Sequence, residues 1–138
     1  MRKQLVKRRR INAYWCSVYA HEMFHEVWNV GLIINKSKRA SDDWYERRKN
    51  KRTRRALREN KTKTLKELRV CLEVLMDVLR SLPQGASVFL VNDSKRTQTL
   101  SKYVQRFGFT PVEYEDQTVW VLTALKKKEV LLRYGHTN

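Results

Sequence analysis

Residues 64–92 read TLKELRVCLEVLMDVLRSLPQGASVFLVN, and the fold turns on this stretch. Leu65, Leu68, Leu72, Leu75, Leu79 and Leu82 recur at spacings of three and four, which draws one stripe along an α-helix. Val74, Met76 and Val78 widen the stripe. Thr64 and Glu67 form a capping box at the start, and Pro83 with Gly85 ends the helix. A heptad run this short reads as a core helix rather than a coiled coil. Ser87–Asn92 then gives a short strand, apolar on both faces, as a central strand of a parallel sheet would be.

Upstream, Val27–Ile34 is a second strand that is apolar on both faces. Ile11–Tyr19 is rich in β-branched and aromatic residues and predicts a strand pairing with it, antiparallel, through a polar turn at His21–Glu26. Downstream, Asp93 or Ser94 caps a helix whose Leu100, Tyr103, Val104 and Phe107 share a face, with Gly108 as its C′ residue. Val112–Tyr114 and Thr118–Leu122 predict a hairpin, and a basic helix over Ala124–Tyr134 follows. The order β-β-(α)-α-β-α-β-β-α predicts one α/β domain over residues 11–134, a mixed sheet with helices on both faces. Residues 1–10 read as a basic N-terminal arm. Residues 36–61 read as a basic insert, either a helix starting near Ser41, Asp42 and Asp43 or a loop.

Thirty of the 138 residues are Lys or Arg against 14 Asp or Glu, for a net charge of +16. Eighteen of the 30 lie in the arm and the insert. The partner that such a surface suits is a polyanion, and phosphate backbones release counterions on meeting it. The chain therefore reads as a nucleic-acid-binding protein, for DNA or RNA, with little base specificity. The candidate contacts are Arg8, Arg9, Arg10, Arg47, Arg48, Lys49, Arg52, Arg54, Arg55 and Arg58, with Trp44 and Tyr45 as rings for unpaired bases. Tyr14 and Trp15 read as core. Patterned Trp, Leu and Val exclude a disordered basic tail. Cys16 and Cys71 are too few for a disulfide framework and read as reduced core thiols. No apolar run is long enough to span a membrane, so the expected location is cytoplasmic or nucleoid-associated.

His21-Glu22-Met23-Phe24-His25 spells HExxH, which on a helix sets two imidazoles on one face for zinc. The flanking strand pattern makes it a polar turn here, leaving His21 and His25 as weak metal candidates and no cofactor expected. Residues 64–124 resemble the C-terminal half of the GNAT superfamily of acyl-CoA-dependent N-acyltransferases. The matching parts are the long helix, the strand Ser87–Asn92, the helix ending in Arg106-Phe107-Gly108-Phe109, and the closing hairpin through Val119-Trp120-Val121. The resemblance implies a GNAT-like topology, acetyl-CoA as cofactor and Tyr103 as general acid. With no Gly between Gly31 and Gly85, the cofactor loop would be degenerate. Residues 62–97 also resemble the RNase H-like fold in Glu67 on the long helix and in Asn92-Asp93-Ser94 after the strand. This implies Glu67 and Asp93 as metal-binding acids of a nuclease, or of its inactive relative.

Overall fold

A computed structural model of the chain describes residues 4–46, 65–91, 104–114 and 117–122. Six strands form one mixed sheet: β1 (Gln4–Ile11), β2 (Tyr14–Phe24), β3 (Val27–Asn35), β4 (Ser87–Val91), β5 (Thr110–Tyr114) and β6 (Gln117–Leu122). Two helices complete the described elements, α1 (Lys38–Tyr45) and α2 (Leu65–Ser81). The sheet order is β1-β2-β3-β4-β6-β5. Only β3 and β4 run parallel, from Val27↔Ser87 to Gly31↔Val91; the other pairs are antiparallel. The fold is thus of the mixed α/β class.

α2 packs its apolar stripe on one sheet face. Leu68, Cys71, Val74, Leu75, Val78, Leu79 and Leu82 are buried in one cluster with residues of β2, β3, β4 and β6. Cys16 of β2 and Cys71 of α2 are both fully buried free thiols. A hydrogen bond donated to Cys16, then burial, pushes the Cys71 thiol well up. The stripe is rotated slightly from its expected line: Leu72 is only partly buried, because Cys71 takes the central place on that turn.

Alternation along a strand sends the intervening residues to the other face. There α1 covers Tyr19 of β2 and Ile33 of β3 with Ala40 and Trp44, and Tyr45 packs against them. Gly31 of β3 makes room for this helix. A Cβ on Gly31 would lie 2.9 Å from two ring carbons of Tyr45.

Three expectations are corrected here. Residues 4–10 do not form an arm: they pair with β2 along its length, Gln4↔His21 through Ile11↔Tyr14. An edge strand is bonded on one side only, and Lys and Arg suit it because they block further pairing. The polar turn expected at His21–Glu26 is only His25-Glu26, because β2 continues to Phe24 past an irregularity between Glu22 and Phe24. Within the basic insert, the helix starts at Lys38 rather than near Ser41. Ser37 is its N-cap and accepts from the Ala40 N–H at 3.1 Å. Ser41 is buried inside the helix, and its hydroxyl donates to Asn35 Oδ1 at 2.9 Å.

The C-terminal half follows its pattern where it is described. A single 3-10 turn, Gln105–Phe107, ends on Gly108 at φ 101°. Gly108 N–H donates to the Gln105 carbonyl and Phe109 N–H to that of Val104, a Schellman arrangement with Phe109 buried. Thr64, the rest of the helix expected to end at Phe107 and the helix expected over Ala124–Tyr134 lie outside the described residues. Among the described residues, no helix is long and apolar enough to cross a membrane.

Candidate nucleic-acid interface

β1 sorts its arginines by alternation. Arg9 is registered with Cys16 and faces α2, whereas Arg8 and Arg10 are registered with Ser17 and Trp15 and face α1. Arg9 meets two carboxylates of α2, Glu73 at 2.5 Å and Asp77 at 3.5 Å. Arg8 donates to Asp42 Oδ1 of α1 at 2.7 Å, and its guanidinium lies 5.5 Å from the centre of the Tyr19 ring. Tyr19 also donates to Asp42. Burial, then this bond to Asp42, pushes the Tyr19 phenol above its ordinary value, with Arg8 opposing.

The network continues through the rings. Tyr19 and Tyr45 stack with centroids 4.6 Å apart and planes 12° from parallel. The Tyr45 hydroxyl donates to the Asn29 carbonyl at 3.2 Å and is bonded to His21 Nδ1. A phenol has one proton, so His21 Nδ1 is the donor in that second bond. Trp44 is 7% exposed. Trp44 and Tyr45, expected as stacking surfaces for bases, instead fasten α1 to the sheet. Their apolar area is used against Tyr19, Ile33 and Gly31.

Four cations outside this network, Arg10, Lys36, Lys38 and Arg39, lie at one end of the sheet, where β1 ends, β2 begins and β3 hands the chain to α1. The Asn12-Ala13 turn sets Arg10 opposite Trp15, and Trp15 opposite Asn35. The Lys38 ammonium lies 4.3 Å from the centre of the Trp15 ring and the Arg10 guanidinium 5.8 Å. Lys36 lies 5.8 Å from the Tyr14 ring. Arg10, Lys36, Lys38 and Arg39 are exposed, and Tyr14 and Trp15 are half-buried. Among the described residues, no carboxylate pairs with Arg10, Lys38 or Arg39.

Lys38 and Arg39 occupy the first turn of α1, which holds no acid. The helix dipole is positive there, so each cation costs about 0.3–1 kcal/mol relative to an acid. The aromatic rings hold the ammonium and guanidinium groups in place without neutralising them. An approaching phosphate meets donors already positioned, which lowers the entropy lost on contact.

The other candidates are placed as follows. Arg47, Arg48, Lys49, Arg52, Arg54, Arg55, Arg58, Asp93 and Tyr103 lie outside the described residues. Glu67 is on α2 and 3% exposed. HExxH occupies the end of β2 and its turn: His21 bonds Tyr45, while the His25 side chain is 91% exposed, with Nε2 3.7 Å from Glu26. Among the described residues, no group of three or more His, Cys, Asp or Glu is arranged to hold a metal ion. At the far end of the α1 face an apolar groove of about 740 Å³ is floored by Val27, Phe89, Val119 and Val121, with Phe24 exposed at its rim. Among the described residues no charged side chain lines it, which sets it apart from the basic end.

Trp15 is the residue that reading it as core missed, whereas Tyr14 does pack against the core cluster. The signal was a two-residue gap between Ile11 and Tyr14, which makes a hairpin and puts Arg10 beside Trp15. No protein-family model, curated protein or solved structure matches this chain.

Proposed function

We propose that this protein binds nucleic acid through the basic, aromatic end of its sheet, with Arg10, Lys36, Lys38 and Arg39 contacting phosphates and little base specificity. The observation that carries this is the set of three cations without carboxylate partners among the described residues, two of them held over Trp15. The net charge of +16 supports it, as do seven further basic candidates between Arg47 and Arg58. It carries a cytoplasmic or nucleoid-associated location with it. The test is affinity for a short duplex against salt concentration. Four neutralised phosphates alone give a log–log slope of about −3.6. A flat dependence between low and physiological salt contradicts the reading.

A second reading is an N-acetyltransferase of GNAT type using acetyl-CoA with a degenerate cofactor loop. It is supported by the parallel β3–β4 pair joined through α2. The left-handed Gly108 before a buried Phe109, and the closing β5–β6 hairpin, fit it as well. A bound cofactor raises the melting temperature by mass action, so thermal unfolding with and without acetyl-CoA tests it. An unchanged melting temperature at millimolar acetyl-CoA rules the reading out.

A further inference from the structure

We infer that the nucleic acid taken by this interface is single-stranded, and that an unpaired base stacks on Trp15. The inference rests on the binding reading above and names the partner of the same site. The chain has four tryptophans. Trp28, Trp44 and Trp120 are 4%, 7% and 7% exposed, whereas Trp15 is half-buried at the sheet's end. Its ring is the one indole a ligand reaches without unfolding the core.

What covers that ring is exchangeable. Lys38 and Arg10 reach it from separate elements, α1 and β1, on long flexible stems. A solvent-exposed cation over an aromatic ring is held more weakly than a stacked base. A base that displaces the Lys38 ammonium leaves it beside the phosphate of the same nucleotide, where it gains a charge-assisted contact. The exchange therefore improves both partners. A base within a duplex cannot make it, because both its faces are already stacked on its neighbours and extruding it is costly.

The exposed groups placed over the ring are the Lys38 ammonium and the Arg10 guanidinium. These bind phosphate or sit flat against any base, and every base has a π-face. The stacking is therefore expected to tolerate sequence. Tyr14 contributes less, since its ring packs against the α2 core on the opposite face of the sheet.

The experiment titrates the full chain with three probes of equal length, about 12 nucleotides. They are oligothymidylate, the matching abasic sugar–phosphate oligomer, and a duplex. Affinity and tryptophan fluorescence are read together. Because the other three indoles are buried, quenching reports Trp15. Oligothymidylate is expected to quench and to bind roughly 5- to 150-fold more tightly than the abasic oligomer. Trp15→Ala should erase that preference while keeping salt-dependent binding to both. Trp15→Phe, which keeps a ring in place, should retain most of the preference and lose the quenching. Equal, unquenched binding of oligothymidylate and abasic oligomer overturns the stacking but leaves the phosphate reading standing. So does tighter binding of the duplex. If none of the three probes binds at low salt, the phosphate reading fails and takes this inference with it.

Discussion

Arg8 and Arg10 stand on the same face of β1, one residue between them, and their neighbours differ completely. Arg8 bonds a carboxylate of α1 and lies over Tyr19, inside a network of Asp42, Tyr19, Tyr45 and His21. Arg10 lies over Trp15 with no carboxylate partner among the described residues, next to Lys38 and Arg39. The first cation fastens a helix to a sheet, whereas the second is held ready at the surface. Counting charge along a chain does not separate these roles. The partner on the neighbouring element does.

The sharpest way to break the network side of this comparison is Gly31→Ala. The added methyl group meets the Tyr45 ring at 2.9 Å, and α1 must shift to admit it. Destabilisation of about 1–3 kcal/mol in denaturant unfolding is expected, as for other overpacked sites. Adding Tyr45→Ala should remove most of the penalty specific to the methyl group. If Gly31→Ala costs nothing in the wild-type background, Tyr45 is not seated on β3 as described.

A smaller effect follows from Tyr19. Its proton is held to higher pH in the folded chain than in the unfolded one, by burial and by Asp42. As pH rises past the ordinary phenol value of 10.0, the unfolded chain loses that proton first. The stabilisation is therefore complete below that pH and lost above it. The melting temperature of wild type should fall more steeply between pH 9 and 11 than that of Tyr19→Phe. Parallel curves for the two proteins would place Tyr19 outside the network.

Much of the fold was legible because some segments carry their burial in their own composition. α2 shows five leucines at helical spacing, and β4 is an unbroken apolar run after Ser87. β1 was illegible for the opposite reason. As an edge strand it tolerates Lys7, Arg8, Arg9 and Arg10 in succession, so the charge run hid the period of two. Trp44 and Tyr45 were misread because the cavity they fill is made by Gly31, Tyr19 and Ile33, more than ten residues away in sequence. The basic character of the site was plain from the sequence. Its membership was not, because the acids that occupy Arg8 and Arg9 arrive from α1 and α2 only once the register is set.

The central claim is that the cations at the sheet's end, not those within the network, meet the nucleic acid. The direct measurement compares two variants for duplex affinity across salt and for melting temperature. One is Arg10→Gln with Lys38→Gln and Arg39→Gln; the other is Arg8→Gln with Arg9→Gln. The first should lower the magnitude of the salt slope by about 2 to 3 and leave the melting temperature near that of wild type. The second should lower the melting temperature and leave the slope unchanged. A slope lost in the Arg8 and Arg9 variant but kept in the other would contradict the account.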